Sequence, residues 1–182
     1  QIAESSCINC GAGNYNAATG ASEAAQCTVC PVGKFGTLAV PATAGACIAC
    51  AAGKANPLGG QSDSAKCVNC VAGRHQATTG QATCTACVAG KYGDADEQTS
   101  DTCKPCGEGK YSSAQGAVVE SQCNKCSPGK YSAVAAQVSA NSCINCVVGK
   151  YGDTDGATSI SACKDCIVGV EFQDVAGQPS CK

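Results

Sequence analysis

The spacing of the cysteines constrains this chain more than any other feature. Nineteen of its 182 residues are cysteine; eighteen form nine Cys-x-x-Cys pairs, and Cys181 is left over. The first cysteines of successive pairs lie 17 to 20 residues apart, which is typical of a tandem repeat. We therefore distinguish an N-terminal lead, residues 1–6, from a repeat array, residues 7–182. Repeats 1 to 9 begin at Cys7, Cys27, Cys47, Cys67, Cys84, Cys103, Cys123, Cys143 and Cys163.

The composition indicates that covalent cross-links hold these repeats together. Leu, Ile, Val and Phe number 25, about 14% of the chain, whereas apolar burial begins to offset chain entropy at roughly 20%. A unit of about 20 residues cannot bury a core by itself. Cysteine above about 10% of the chain, with a net charge of −2, favours a disulfide scaffold over a disordered chain.

Disulfides at this density persist in oxidising compartments, so we expect an extracellular or cell-surface protein. Twelve basic residues against fourteen acidic ones leave no positive excess for nucleic acid. The sequence contains no run of about 18 apolar residues, which is the length that a direct membrane span requires. The expected partners are therefore other proteins or sugars, and no cofactor is implied.

A three-residue motif follows the second cysteine of most repeats: glycine, then a basic residue, then an aromatic ring. Glycine at a fixed offset behind a cross-linked cysteine predicts a turn with either a positive φ or a close backbone approach. The turn glycines are Gly13, Gly33, Gly53, Gly73, Gly90, Gly109, Gly129, Gly149 and Gly169. The basic column is Lys34, Lys54, Arg74, Lys91, Lys110, Lys130 and Lys150, and the rings are Tyr15, Phe35, His75, Tyr92, Tyr111, Tyr131 and Tyr151, with Phe172 one place late.

These features predict a small disulfide-rich repeat fold: an elongated, solenoid-like rod of about nine units, built from short β-hairpins and loops. The segments between the motifs show neither helical spacing nor long strand alternation, so we expect strands of three or four residues and almost no helix. Each ring is expected to lie against the disulfide of its repeat as a miniature core.

Three chemistries compete for the Cys-x-x-Cys pairs. Zinc is an alternative because Cys-x2-Cys-x16-Cys-x2-Cys falls within zinc-ribbon spacing, and a thioredoxin-like redox role would need a βαβ context that is missing. Disulfides are favoured, with no metal. Bonds inside Cys-x-x-Cys would constrain little of the unfolded chain, whereas bonds between successive repeats close loops worth roughly 3 kcal/mol each.

The favoured pairing is a ladder between successive repeats, which leaves only Cys7 for an upstream repeat or another chain. Its bonds are Cys10–Cys27, Cys30–Cys47, Cys50–Cys67, Cys70–Cys84, Cys87–Cys103, Cys106–Cys123, Cys126–Cys143, Cys146–Cys163 and Cys166–Cys181.

Other candidate sites have simpler structural interpretations. The motifs Asp94-x-Asp96-Glu97 and Asp153-x-Asp155-Gly156 could ligate calcium, but neither has the full ligand set of a calcium loop, so a solvated turn is favoured. His75 occupies a ring position. The basic column could attract an acidic polysaccharide or protein face, although lysine methylenes that cover the rings are the simpler interpretation. The many loop Ser and Thr residues are candidates for O-linked glycan.

The segment Cys143-Ile144-Asn145-Cys146-Val147-Val148-Gly149-Lys150-Tyr151 carries the motif in full. It resembles the ephrin-receptor-like cysteine-rich repeats, which form tandem arrays in protist and algal surface proteins; the ciliate immobilisation antigens are similar. The resemblance runs from Cys7 to Cys181 and implies a surface or extracellular array.

Two functions fit these features. The first is an extracellular structural protein, a disulfide-laddered rod within a filament, flagellar hair or cell-surface coat, which self-associates. The alternative is the stalk or ligand-binding ectodomain of a surface receptor or adhesin. We expect no enzyme, because one histidine in a rigid repeat supplies no Ser/His/Asp or Cys/His arrangement.

The ladder is tested by mass mapping of peptides from the non-reduced protein. We expect every cross-linked peptide to join one repeat to the next, because only those bonds close long loops. Bonds confined within Cys-x-x-Cys, or stoichiometric zinc that a chelator removes, would contradict the ladder.

Overall fold

The structure is a computed structural model that describes residues 10–16, 27–37, 47–167, 169 and 171–182. The N-terminal lead and Cys7 lie outside the described residues. The chain divides into two compact units, here called the N-terminal and C-terminal units. The first consists of Gln1–Thr85 with Asp96–Asp101, and the second of Ala86–Ala95 with Thr102–Lys182.

Nine disulfides form a regular ladder, in which the second cysteine of each repeat is bonded to the first cysteine that follows it. The sequence separation is 14 for Cys70–Cys84, 15 for Cys166–Cys181, 16 for Cys87–Cys103 and 17 for the other six bonds. All eighteen described cysteines are bonded in this way, so none of them presents a thiolate to a zinc ion.

In the part of the chain that the structure describes, eight two-stranded antiparallel hairpins accompany the ladder. In each, the strand after the turn glycine pairs with the strand between the next two cysteines; Lys34 faces Ala49, and Phe35 faces Ile48. The pairs are Asn14–Tyr15 with Thr28–Val29, Lys34–Phe35 with Ile48–Ala49, Lys54–Ala55 with Val68–Asn69, Arg74–His75 with Thr85–Ala86, Lys91–Tyr92 with Lys104–Pro105, Lys110–Tyr111 with Asn124–Lys125, Lys130–Tyr131 with Ile144–Asn145, and Lys150–Tyr151 with Lys164–Asp165.

The strands have two residues each, fewer than the three or four expected. The second strand is confined between two cysteines. The first strand ends because the next residue turns its backbone toward another repeat: Gly36 N–H donates to Gln61 O at 2.8 Å, and Gly36 O accepts from Gly13 N–H at 2.8 Å.

The expectation of almost no helix is confirmed. Helical geometry in the described residues is limited to single 3₁₀ turns, each directly before a first cysteine: Ser64–Lys66, Glu120–Gln122, Ala140–Ser142 and Ile160–Ala162. Among the residues that the structure describes, no helix has the length and apolar character needed to cross a membrane.

Disulfides form the core. The second cysteines of repeats 2 to 8 are almost fully buried, with Cys30, Cys106 and Cys126 at 0% exposure. Phe35 is the one large apolar side chain that is buried among the described residues, and it packs with Cys50 and Cys67. The ring therefore lies against the disulfide of the following repeat. The Cys30–Cys47 disulfide, which closes the loop that contains Phe35, is not part of this cluster. For Phe35, the expectation that the ring lies against the disulfide of its own repeat is therefore wrong.

Folding should therefore depend on the disulfides. With so little apolar burial, loss of cross-links worth roughly 3 kcal/mol each in the loop-entropy model leaves the chain entropy unopposed. We expect reduction and alkylation to give the circular dichroism of a random coil, whereas heating without reductant should change the spectrum little. Native-like hairpin signals in the alkylated chain would show that packing alone suffices.

Candidate functional site

The candidate site is the surface on which one repeat stacks on the next. Its centre is the second cysteine of each repeat, whose backbone bonds in both directions. In the C-terminal unit, Cys126 N–H donates to Gly109 O of the preceding repeat, and Cys126 O accepts from Gly156 N–H of the following repeat, both at 2.8 Å. Cys50 makes the same pair of bonds with Gly33 and Gly80 in the N-terminal unit.

The residue after the ring continues this network. Ser132 N–H donates to Ala157 O at 3.0 Å, and Ser132 O accepts from Gly109 N–H at 2.9 Å. This position is polar or glycine throughout the array: Asn16, Gly36, Asn56, Gln76, Gly93, Ser112, Ser132, Gly152 and Gln173. Sequence reasoning missed it, although the recurrence was visible.

At Asn56 and Gln76, a buried amide side chain bonds two backbone groups. Asn56 Nδ2 donates to Lys34 O of the preceding repeat at 3.0 Å, and its Oδ1 accepts from Leu58 N–H at 3.2 Å. Gln76 Nε2 donates to Thr83 O of its own loop at 2.8 Å, and its Oε1 accepts from Thr78 N–H at 3.0 Å. These bonds satisfy amides that would otherwise be costly to bury.

The nine turn glycines all have positive φ, between 73° and 85°. Six of these turns also approach the backbone of the second following repeat: those of Gly13, Gly33, Gly53, Gly90, Gly109 and Gly129. A Cβ on Gly109 would collide with the Gly156 carbonyl, and a Cβ on Gly53 would lie 2.6 Å from Glu97 O. At these six positions glycine is favoured both by its φ and by the space that it leaves.

The loop that receives this contact has its own column of positive φ. Gly60, Gly80, Gly116, Gly156 and Gly177 fill it in five repeats, while Glu97 and Ala136 adopt φ of 59° and 60° at the equivalent positions. Sequence reasoning missed this column because two non-glycine residues and variable loop lengths interrupt it. Stacking is thus made largely by backbone and small residues.

Three of the seven residues of the basic column are paired with carboxylates. Lys54 lies 2.7 Å from Glu97, Lys110 lies 2.7 Å from Glu120, and Lys150 lies 2.6 Å from Asp165. Exposed pairs of this kind add little to stability and are screened by salt. They reduce the positive charge of the column at these three positions.

The two acidic motifs are tied to protein donors as well. Asp94 bonds Lys104, and Asp153 bonds Lys164, each at 2.7 Å. The hydrogen bond from the lysine holds the pKa of each aspartate below its usual range, and each aspartate raises the pKa of its lysine. The Lys164 ammonium also lies 5.9 Å from the centre of the Tyr151 ring, within cation–π range.

The remaining carboxylates of these motifs are also engaged. Asp96 Oδ1 accepts from Ala72 N–H at 2.7 Å, and Asp155 lies 3.0 Å from Lys125. A calcium ion would have to displace these donors. The structure therefore favours turns stabilised by ion pairs over a calcium loop.

Two ring positions depart from the usual sequence pattern. His75 occupies a strand in the ring position and bridges Gln98 in the N-terminal unit, as Phe35 bridges Gln61. Phe172, one place late in the sequence, lies in the ring position in space: its backbone exchanges bonds with Lys182, and Gln173 O accepts from Gly149 N–H at 2.8 Å.

Comparison with known proteins supports the resemblance. Residues 119–163 match the family model described as tyrosine-protein kinase ephrin type A/B receptor-like. The matched segment begins in the loop of repeat 6, contains repeats 7 and 8, and ends at Cys163, the first cysteine of repeat 9. No curated protein matches the chain at a significant level. The match and the disulfide ladder together indicate an extracellular or cell-surface cysteine-rich module.

The turn glycines allow strain and steric overlap to be separated. Gly109→Ala should suffer both, Gly149→Ala only the positive φ, because nothing lies within 4 Å of its Cβ position, and Gly107→Ala neither. Positive φ costs an alanine about 1 kcal/mol, and overpacking adds about 1–3 kcal/mol.

Amide hydrogen exchange at Cys126 and Gly156, measured in dilute solution with disulfides intact, reports this stacking contact. Exchange should accelerate strongly in Gly109→Ala and little in Gly107→Ala, with Gly149→Ala affecting only its own surroundings. Equal effects of Gly109→Ala and Gly149→Ala on their respective contacts would show that close approach is unimportant.

Proposed function

We propose that this cysteine-rich array is an extracellular structural protein, a disulfide-laddered element of a filament, flagellar hair or cell-surface coat. The observation that carries the proposal is the uniformity of the stacking surface. The same backbone bonds recur from repeat to repeat in both compact units, and no single repeat gathers the aromatic anchors of a binding hot spot.

Self-association is the finer part of this proposal. Gly129 lies under the loop of the second following repeat, where its Cβ position meets Gly177, while the Cβ position of Gly149 has nothing within 4 Å. Phe172 is 61% exposed, whereas Phe35, whose bridge partner is Gln61, is 7% exposed. A loop of the kind that covers Gly129 and Phe35 fits this surface, whether it comes from a further repeat of the same chain or from a second copy. Contact with a second copy would be head-to-tail, and such contact propagates as a filament.

Several features support a non-catalytic role. The carboxylates of the acidic motifs are held by lysines or by a backbone donor, and the described cysteines are committed to disulfides. General acid–base or nucleophilic chemistry would need such groups free and positioned. O-linked glycan on the loops and an intermolecular bond through Cys7 stay predictions.

The alternative is a stalk or ligand-binding ectodomain. One observation favours it: an open groove in the N-terminal unit is lined by Phe35, Ala49, Ala51, Lys54, Ser64 and Cys67. An apolar floor with a cation and a hydroxyl at its edge could receive a small amphipathic ligand or sugar. Lys54 is already engaged by Glu97, so the structural role is favoured.

The two functions are separated by the mass of the oxidised chain in solution and by electron microscopy of the same sample. A Cys7→Ser background removes disulfide exchange between chains. We expect concentration-dependent oligomers or filaments, and we expect Gly149→Ala to weaken them because its methyl group would meet the incoming loop. Gly107→Ala is the matched control. A strictly monomeric chain at high concentration would exclude self-assembly and leave the stalk.

A further inference from the structure

The disulfide ladder defines a short covalent path through the chain. Because each bond joins the second cysteine of one repeat to the first of the next, tension applied to the ends passes through a disulfide, then a Cys-x-x-Cys linker, then the next disulfide. The path from Cys10 to Cys181 therefore contains nine disulfides and eight linkers. Every loop that carries a turn glycine, a ring and a stacking contact lies outside it.

The linkers on this path are already extended. The two residues inside each of these eight Cys-x-x-Cys pairs form a β-strand: Thr28–Val29, Ile48–Ala49, Val68–Asn69, Thr85–Ala86, Lys104–Pro105, Asn124–Lys125, Ile144–Asn145 and Lys164–Asp165. A strand rises about 3.3 Å per residue, close to the limit of the backbone. Stretching the molecule can therefore gain little length from them.

The lengths follow from the connectivity. The disulfides span 5.5 to 5.9 Å between Cα atoms, and each linker adds three residue steps, so the taut path from Cys10 to Cys181 is about 130 Å. Without the disulfides the same segment would extend to about 590 Å. Oxidation thus removes more than three quarters of the available extension.

We propose that the ladder makes this chain a tension-bearing tether whose extension between Cys10 and Cys181 is limited to about 130 Å while it is oxidised. The limit rises several-fold when a dithiol reductant cleaves each disulfide to two thiols and is itself oxidised to a disulfide. The loops lie outside the covalent path and bear none of the tension. Their lengths can therefore vary without changing the maximum extension of the oxidised chain. The bond Cys70–Cys84 closes a shorter loop than Cys126–Cys143, with separations of 14 and 17, yet both add the same Cα–Cα span of 5.7 Å to the path.

This inference rests on the proposed structural role, but it is tested on single molecules. The oxidised chain, held by handles at its two ends, is pulled in optical tweezers while the extension is recorded. We expect a taut length of about 130 Å between Cys10 and Cys181, with no further release at forces that unfold ordinary domains. Reductant in the flow cell should then release discrete steps, of about 40 Å for the loop of 14 and about 50 Å for loops of 17.

Two paired variants identify the bonds. Cys70→Ser with Cys84→Ser should lengthen the oxidised chain by about 40 Å, and Cys126→Ser with Cys143→Ser by about 50 Å. If a variant fails to fold, the reductant experiment on the unmodified chain gives the same steps. Extension of the oxidised chain several-fold beyond 130 Å, or reduction without steps of these sizes, would overturn the proposal.

The extension measured on single molecules does not depend on whether the chains associate. A chain that stays monomeric yet resists extension would refute the filament and support the tether. A chain that assembles yet extends several-fold when oxidised would refute the tether and leave the structural role in place.

Discussion

Everything in this structure depends on the bond between the second cysteine of one repeat and the first cysteine of the next. In most domains, apolar side chains exclude water from a core. Here buried disulfides do so, with Phe35 as the one large apolar side chain buried among the described residues. The cross-links stabilise the fold mainly by restricting the unfolded chain. Valine and isoleucine side chains therefore need not be buried, and Val68, Ile144 and Ile160 are exposed.

The stacking contacts reach further than those of most repeat proteins. In a typical array each repeat contacts only its neighbours, and stability is a sum of nearest-neighbour terms. Here the turn glycine approaches the loop of the second following repeat, as Gly53 approaches Glu97. A loop is thus positioned by two earlier repeats at once, so three consecutive repeats are the smallest group that makes a complete set of contacts.

The sequence allowed us to predict the disulfide ladder and the turn glycines, but not the contacts by which the repeats stack. Cysteine spacing and loop entropy predicted the ladder, and the recurrent glycine predicted positive φ, because both are local properties of a repeat. The contact between Gly109 and Gly156 could not be predicted, since it depends on how repeats are placed in space. The packing of the Phe35 ring on the Cys50–Cys67 disulfide could not be predicted for the same reason.

Phe172 shows that alignment by residue number can also fail. It lies one place late in the sequence, but its backbone bonds with Lys182 show that it is equivalent to the rings of the other repeats.

The charges bear on the choice between a structural and a sugar-binding surface. A column of unpaired lysines would attract acidic polysaccharide. A carboxylate lies within 2.7 Å of Lys54, Lys110 and Lys150, so this attraction is reduced at three of the seven positions. The same array also exposes apolar side chains, such as Val68 and Ile144. Under the proposed structural role, the attraction between such side chains is short-ranged and periodic, and it would favour a partner with the same period over an irregular acidic polymer.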